Sequence, residues 1–327
     1  NPTDINKPNS GPAKNHLFLD VDRIIGDLIN DTDKDLIIPT NKELIINGKV
    51  EDGNSNAGTI LVKASTDSAE PTGTLKFADP DNNTDVNAKV EFYNKTYQCE
   101  DCGFYKKPWQ YFGVPVQASS FPFLSPQVEE INKWIEPENG NKWVPVLGEL
   151  EAFVGYEITN TSTQQPTKVY TFEGTLNVGD KELDLTKTSN VNYSGMNLIA
   201  NSYTAAIPIS NTAIDFSGTW NKTVYLFNAG TRDQWRKHNG MTTPHVTQAG
   251  QYKAVPLNLA EQTELIDRII PSMHTFMIQA ETKGELKLNY AELTKNQTVD
   301  GMTWRSVITK SNEELPHIVL DVIGTNS

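Results

Sequence analysis

The sequence predicts an all-β protein: a short N-terminal β-layer or solenoid-like segment, followed by a β-sandwich or jelly-roll region with one or two short helices. Three observations predict this class. Apolar residues come in short bursts rather than long runs. Clusters of Asn, Asp, Thr and Gly separate the bursts, as in turn-rich β proteins. Several bursts alternate apolar and polar residues with a period of two, which is typical of half-buried strands.

The length of 327 residues is enough for about two domains. We expect an extended linker over residues 1–30, a small N-terminal β segment over residues 31–98 and a β-sandwich region over residues 99–327. A further division into two sub-domains is expected near residue 215. Because the sequence does not begin with Met, we expect a piece of a longer protein.

The N-terminal β segment is predicted from the bursts DLIIP, KELIINGKV, GTILVKAS and GTLKFAD. Their spacing suits either a meander or the last coils of a β-solenoid. The strand DVNAKVEFY follows, with Val86, Ala88, Val90 and Phe92 on one face.

Two helices are predicted among the later strands. Residues 125–136 offer Ser125 as a cap, Pro126 at the first helical position and an apolar stripe of Val128, Ile131 and Ile135. Residues 257–269 form a second, weaker helical pattern.

The formal net charge is -13. An acidic surface repels nucleic acid and anionic membrane faces, so neither is an expected partner. No apolar run reaches the length needed to span a bilayer. We expect a monomer.

The two cysteines, Cys99 and Cys102, lie in a C-x-x-C followed by an aromatic-rich segment. A structural zinc site needs four ligands, and no histidine lies nearby in sequence. A thioredoxin-like centre needs a helix after the pair, which Pro108 disfavours. We favour a local disulfide or free thiols over a metal site, and a metal site over redox catalysis.

Acidic turns suggest calcium as the one cofactor to consider. Asp79, Asp81 and Asp85 place oxygen ligands at near-alternate positions, as calcium loops do. The turn lacks the sixth-position Gly and the distal Glu of the EF-hand loop. A solvated turn explains the same residues.

A polar loop over residues 231–240, TRDQWRKHNG, is the predicted ligand site. An exposed aromatic ring beside hydrogen-bonding side chains is the pattern that stacks on a sugar. The alternative is a Trp folded back onto the sandwich edge. The candidate binding residues are Trp235, Arg232, Asp233, Arg236 and His238.

Catalytic motifs are missing from the sequence: it has no G-x-S-x-G, no H-E-x-x-H and no phosphate-binding glycine loop. Because these motifs are missing, we predict no enzymatic activity. The alternative is a glycosidase, which could place its two carboxylates far apart in sequence.

The order of local patterns resembles large, adhesin-like surface proteins of Bacteroidetes. The resemblance rests on the segments KELIINGKVEDGNSNAGTILVKAS, WQYFGVPV, FVGYEIT, MNLIANSYTAAIPIS, TVYLFNAGTRDQW and IIPSMHTFMIQA. This resemblance implies a secreted or surface-anchored, multidomain β protein at the cell surface. It also implies O-glycosylation at Asp-Ser/Thr-small sites, for which Ser68 is the candidate.

Two functions follow as hypotheses. The first is a non-enzymatic structural or adhesion module that binds a glycan or a host or cell-surface protein. The second is a polysaccharide-acting enzyme or its accessory carbohydrate-binding domain, which requires a cleft with paired carboxylates and a perturbed pKa.

Overall fold

The computed structural model describes residues 16–52, 58–64, 70–96, 108–119, 129–136, 142–146, 148–160, 168–229, 250–260 and 268–297. Within these ranges nearly every regular element is a β-strand, and the strands form several sheets. The predicted all-β class, with packed sheets as in a sandwich, is confirmed.

The N-terminal part is a stack of parallel coils with strands on up to three faces. The first face holds β1 (Leu17–Phe18), β4 (Leu36–Ile38), β7 (Ile60–Val62) and β9 (Asn87–Asn94). The second face holds β2 (Arg23–Ile25), β5 (Glu43–Ile46) and β8 (Thr74–Phe77). The third face holds β3 (Leu28–Asn30) and β6 (Val50–Asp52). Of the two predicted arrangements, the structure therefore has the solenoid and not the meander.

Alternation along the strands explains the stack. In β5, Leu44 and Ile46 are buried while Glu43 and Ile45 are only half-buried. Leu44 and Ile46 join Leu75 and Phe77 of β8 in the continuous hydrophobic core. Each coil thus covers the apolar residues of its neighbour, as in solenoid proteins.

The stack begins before the boundary expected from the sequence. Strands β1, β2 and β3 lie within residues 17–30, a stretch assigned above to an extended linker. These strands are only two or three residues long, and pairing with the next coil supports them. Residues 17–30 are therefore the first coil and not a linker.

Strand β9 joins the stack to the rest of the chain. Its residues 88–90 pair in parallel with β7, and its whole length pairs antiparallel with β16 (Lys168–Thr175). The predicted inward face is confirmed, because Val86, Ala88, Val90 and Phe92 are all buried.

The remaining sheets are antiparallel. One four-stranded sheet has the order β10 (Gln110–Phe112), β15 (Tyr156–Asn160), β12 (Glu129–Trp134) and β13 (Trp143–Pro145). A second has the order β18 (Met196–Ala200), β24 (Thr275–Ala280), β21 (Trp220–Phe227) and β22 (Tyr252–Pro256).

Smaller sheets complete this region. A three-stranded sheet has the order β17 (Lys181–Leu185), β25 (Gly284–Leu288) and β20 (Ile214–Phe216). Two-stranded sheets pair β11 (Ala118–Ser119) with β14 (Leu150–Glu151), and β19 (Ile207–Pro208) with β23 (Ile269–Ile270). Strands from both sides of residue 215 pair in the same sheets, for example β18 with β24.

The predicted helix over residues 125–136 is wrong for the part that the structure describes. Residues Glu129–Trp134 form β12, which is paired with β13 on one side and β15 on the other. Ladder bonds to two strands and the burial of Ile131 outweigh a local helical pattern.

The second helical pattern is confirmed only at its start. The described helix is a single turn, α1 (Leu257–Ala260), and Ile269–Ile270 is a strand. A 3₁₀ turn, η1 (Tyr290–Glu292), begins at Asn289, whose side chain accepts a hydrogen bond from the backbone N–H of Ala291.

The stack and the antiparallel sheets meet along β8. The hydroxyl of Thr204 donates to the carbonyl of Leu75 at 2.6 Å, and the ammonium of Lys76 donates to the carbonyls of Ala291 and Leu293 at 2.8 Å. The side-chain amide of Asn296, which is buried, donates to the carbonyls of Gly73 and Thr204, each at 3.1 Å. One hydrophobic core spans both parts.

Gly113, in the middle of the segment WQYFGVPV, directly follows β10 for a packing reason. A Cβ atom at this position would lie 2.2 Å from the Cβ of Ala200. The backbone N–H of Gly113 donates to the carbonyl of Met273 at 2.9 Å. Glycine is needed here because two sheets approach each other closely.

Candidate functional site

The predicted ligand loop lies outside the described residues, but its two anchors are described. Strand β21 ends at Phe227 and strand β22 begins at Tyr252, and these two residues pair across the hairpin. The backbone N–H of Asn228 donates to the carbonyl of Gln251 at 2.8 Å, and that of Gly250 to Asn228 at 2.7 Å. The loop that carries Trp235, Arg232, Asp233, Arg236 and His238 is therefore rooted beside Phe227 and Tyr252.

A group of aromatic rings lies at this root. We call Tyr111, Trp134, Trp143, Phe227 and Tyr252 the aromatic face. The rings of Tyr111 and Phe227 are stacked with centroids 4.0 Å apart and an interplanar angle of 13°. Trp143 lies 5.2 Å from Tyr111 and 5.3 Å from Trp134. The face therefore joins the two four-stranded sheets.

Strand register explains why these rings share one side. Tyr111 is opposite Glu157, Glu157 is opposite Asn132, and Trp134 is opposite Trp143. Residues opposite one another, or two apart on one strand, project from the same face of a sheet. The other face of the same sheet carries buried core residues: Phe112, Ile131, Tyr156 and Ile158.

Polar groups lie among the rings. The side-chain amide of Asn132 donates to the Glu157 carboxylate at 2.9 Å. The hydroxyls of Tyr111 and Tyr252 are hydrogen-bonded to each other at 3.0 Å. The indole N–H of Trp134 donates to the carbonyl of Met196 at 2.6 Å, which fixes that ring. A few oriented polar groups among aromatic rings are typical of small-ligand sites.

Burial changes the acid–base properties of this site. It raises the pKa of Glu157 to about 7, although the hydrogen bond from Asn132 favours the charged form. Burial, the neighbouring Tyr252 and the Glu157 carboxylate raise the pKa of Tyr111 well above its usual value. Near neutral pH, Glu157 can therefore donate or accept a hydrogen bond, and Tyr111 keeps its proton.

Part of the aromatic face is open to solvent. Tyr252 is 41% exposed, and nearby on β13 Val144 is 37% exposed. Tyr193, 65% exposed, has the ammonium of Lys142 4.9 Å from its ring centroid. The rings come from five strands, and the first and last of them are 141 residues apart, so no local pattern brings them together. In the sequence, Asn132 and Trp134 are two residues apart, the spacing of side chains on one face of a strand. This pattern was missed because the segment was predicted to be a helix.

The predicted calcium turn is described, and buried Asn83 organises it. The Asn83 amide donates to the carbonyls of Gly48 at 2.9 Å and Asp79 at 2.8 Å, and its oxygen accepts from the N–H of Val50 at 3.0 Å. The Asp79 carboxylate accepts from Asn82 at 2.5 Å. The turn thus caps the third face of the stack. Calcium binding by Asp79, Asp81 and Asp85 stays a prediction, and within the described ranges no three His, Cys, Asp or Glu residues are grouped as a metal site.

Other predicted positions lie outside the described residues. These are Cys99 and Cys102 of the C-x-x-C and Ser68 of the glycosylation pattern. In the part of the chain that the structure describes, no helix is long and apolar enough to cross a membrane.

Comparison with known proteins gives one curated relative. The chain is 51% identical over 317 residues to the minor fimbrium subunit Mfa5 of Porphyromonas gingivalis. The match covers 93% of this chain, but the chain spans only about a quarter of that relative's length (25%). No protein-family model matches the chain, and no solved structure matches it.

The relative supports the resemblance inferred from the sequence only in part. It supports a surface protein of Bacteroidetes, and not the finer description as adhesin-like. It is a fimbrial surface protein, and Porphyromonas belongs to the Bacteroidetes expected from the sequence. A fimbrium lies outside the cell, so the predicted cell-surface location is confirmed. The chain is thus similar to part of a fimbrium subunit.

Proposed function

We propose that this chain is a non-enzymatic structural and adhesion module of a bacterial surface fibre, and that its aromatic face binds glycan. The fibre role rests on the 51% identity to a fimbrial subunit. As part of such a fibre, the chain would assemble with other fimbrial components. The glycan role is carried by one observation: partly exposed aromatic rings share a sheet face with Asn132 and Glu157, beside the two strand ends that flank the loop with Trp235.

The chemistry of the aromatic face suits a sugar ring. Aromatic side chains stack on the apolar C–H faces of a pyranose, and such contacts bury area without ordering long flexible side chains. Asn132 supplies an amide, and Glu157 supplies a carboxyl whose pKa burial raises to about 7. Together they can donate to and accept from sugar hydroxyls.

The enzyme hypothesis gains less support. It predicted a perturbed carboxyl, and Glu157 is one. Hydrolysis of a glycosidic bond also needs a second carboxylate facing the first across the substrate. The residues opposite Glu157 on the two neighbouring strands are Tyr111 and Asn132, neither of which is acidic. We therefore propose binding without hydrolysis.

A glycan-array screen of the purified chain tests this proposal, followed by affinity measurements on Tyr252→Ala, Trp143→Ala and Trp235→Ala. Loss of one stacking ring should weaken binding by about tenfold, or about 1.4 kcal/mol. Phe18→Ala is the matched control, because Phe18 is an exposed aromatic residue (54%) in the first coil of the stack.

The outcomes separate the two halves of the proposal. Weaker binding in the aromatic-face variants, with Phe18→Ala unchanged, supports glycan recognition there. Binding that Tyr252→Ala and Trp143→Ala leave unchanged but Trp235→Ala removes would move the site to the loop. An array without any bound glycan would overturn the glycan role and leave a structural fibre module.

A further inference from the structure

An exposed tyrosine lies beside the aromatic face in a strained backbone conformation. Tyr193 belongs to the turn between β17 and β18 and is 65% exposed. Its φ angle is +58°, in the left-handed region that bulky residues rarely adopt. Strain of this kind persists only where the surrounding structure enforces it, and it is concentrated at binding and active sites.

The other non-glycine residues with positive φ in the described ranges have ordinary explanations. Two are asparagines, which adopt this conformation more readily than other residues. Phe153 and Met273 are buried, so core packing holds them. Lys222 lies where the pairing of β21 with β24 is irregular. Tyr193 is not an asparagine, is not buried and lies outside any strand, so none of these reasons accounts for it.

A buried carboxylate holds the turn in its shape. Glu136 is 8% exposed and follows β12 closely. It accepts from the backbone N–H groups of Thr188 at 2.9 Å and Gly195 at 2.8 Å, and from the Thr188 hydroxyl at 2.6 Å. The two ends of the turn are therefore fixed to one side chain, which enforces the conformation of Tyr193 between them.

The turn is also tied to the aromatic face. The backbone N–H of Met196 donates to the carbonyl of Tyr193 at 3.1 Å, and the carbonyl of Met196 accepts from the indole of Trp134 at 2.6 Å. The ammonium of Lys142 lies 4.9 Å from the centroid of the Tyr193 ring. Burial raises the pKa of Tyr252 to about 12, and the nearby Tyr193 adds to the rise. Tyr193 and Tyr252 are thus neighbouring, partly exposed rings.

The two rings are neighbours without being in contact. In the described part of the chain, the ring contacts of Tyr252 are with Tyr111 and Phe227, at 6.2 Å and 5.4 Å between centroids. Tyr193 lies beyond this group. A sugar ring that stacks on Tyr252 would therefore leave Tyr193 available to the next unit of the same chain.

We propose that Tyr193 stacks on a second sugar unit, so that the ligand of the aromatic face is an oligosaccharide of at least two units and not a single sugar. This inference rests on the glycan role proposed above and specifies the length of the ligand. The ammonium of Lys142 can donate to hydroxyls of the same second unit. A ring whose backbone is already fixed loses little freedom on binding, which favours affinity.

Calorimetric titration of the purified chain with matched sugars tests the length of the ligand. The probes are glucose with maltotetraose and cellotetraose, N-acetylglucosamine with chitotetraose, and mannose with mannotetraose. We expect at least one tetrasaccharide to bind at least about tenfold more tightly than its monosaccharide. Four equivalent units increase affinity only about fourfold by number alone, so a larger gain requires a second contact.

Variants assign the second contact to one residue. Tyr193→Ala should weaken tetrasaccharide binding by about tenfold and leave monosaccharide binding unchanged, whereas Tyr193→Phe keeps the ring and should bind as the parent does. Tyr252→Ala should weaken binding of both sugars. Phe18→Ala is the matched control, because Phe18 is an exposed aromatic residue (54%) in the stack, and it should change neither.

Tyr193→Asn adds a measurement that does not depend on any sugar. Asparagine adopts the left-handed conformation with less strain, so the melting temperature of this variant should rise by about 2 °C. Its tetrasaccharide binding should fall as in Tyr193→Ala. A residue that served only to hold the fold would give the opposite result, and a fall of more than about 2 °C would overturn the inference.

The binding results separate this inference from the glycan role itself. Glycan binding with no tetrasaccharide gain beyond about fourfold, or with a gain that Tyr193→Ala leaves intact, would overturn the second unit alone. Equal weakening of both sugars by Tyr193→Ala would place Tyr193 in the site of the first unit and would also overturn it. If neither these probes nor any glycan on the array bound the parent chain, both proposals would fail.

Discussion

The parallel stack and the antiparallel sheets both bury short apolar strands, but the strands find their pairing partners at very different distances along the chain. In the stack, Leu17 pairs with Leu36 and Leu36 with Ile60, so each strand meets the next coil along the chain. In the antiparallel region, Lys181 pairs with Leu288, which is about a third of the sequence away. A stack can be lengthened by one coil without changing the rest, whereas a sheet closed by long-range pairs cannot. The described strands of the stack are therefore supported by neighbouring coils, and those of the antiparallel part by strands distant in sequence.

The largest loss of stability is expected when an aromatic ring is removed from the antiparallel core. Phe112 is fully buried, and its ring lies 5.1 Å from that of Phe92 and 5.7 Å from that of Tyr156. Phe112→Ala should lower the free energy of unfolding by about 3–5 kcal/mol, because it removes a large side chain and leaves a cavity. Leu17→Ala, in the open first coil, should cost less than about 1 kcal/mol. Urea unfolding of both variants measures the difference, and equal losses would show that the first coil is as tightly packed as the core.

The next largest effect is a pH dependence of the free energy of unfolding that comes from the aromatic face and not from the stack. The pKa of Glu157 is raised from 4.5 to about 7, so the folded state binds its proton more tightly than the unfolded state. This contribution to stability is fully present below pH 4.5 and is lost as pH rises toward 7. The raised pKa corresponds to about 3 kcal/mol as an upper figure.

Glu157→Gln tests this assignment. The variant cannot ionise, so its free energy of unfolding should lack the decline between pH 4.5 and 7, and above pH 7 it should be more stable than the parent. Glu182→Gln, on the exposed side of β17, is the control and should keep the decline. Urea unfolding in steps of pH measures both, and an unchanged slope in Glu157→Gln would assign the pH dependence to other groups.

A smaller effect is expected at the junction between the two regions. The buried side chain of Asn296 donates to Gly73 in the stack and to Thr204 in the antiparallel part, and accepts from the N–H of Ser272. Asn296→Ala leaves these groups without partners and should cost about 2 kcal/mol. It should also let the stack open before the sheets do, which hydrogen exchange would detect as separate protection levels.

The matched control for the junction is Asn221→Ala. Asn221 is exposed, and its amide donates to the Tyr225 hydroxyl at 2.8 Å in a solvated site. Its loss should change the free energy of unfolding by less than about 0.5 kcal/mol. If Asn296→Ala behaved in the same way, the two regions would be coupled by apolar packing alone.

Local alternation was enough to predict the strands but not how they pair. The face of β9 that carries Val90 and Phe92 was predicted correctly, because residues two apart face the same side in any sheet. Whether β4, β5 and β7 formed a meander or coils depended on pairing between separate segments, which burst spacing alone did not decide. Residues 129–134 were misassigned for a related reason: two neighbouring strands supply the hydrogen bonds that hold β12 extended.

The candidate site shows the same limit more strongly. The loop with Trp235 was predicted from local composition, and its anchors Phe227 and Tyr252 do lie at an aromatic face. Tyr111, Trp143 and Glu157 were not predicted as neighbours, because each comes from a different strand. Their proximity is a property of strand order in two sheets and has no signature in any one segment.

The smallest effect on stability is expected for an exposed residue of the first described coil. Ile24 is 68% exposed in β2, and Ile25 beside it pairs with the fully buried Ile46 of the next coil. Ile24→Ser should change the free energy of unfolding by no more than about 0.5 kcal/mol, whereas Ile46→Ser should cost about 3 kcal/mol or more. Thermal and urea unfolding of the pair measure the contrast. A loss above about 1 kcal/mol for Ile24→Ser would mean that the chain itself covers this residue. A neutral result would instead mean that the Ile24 side chain lies in water and does not stabilise the fold.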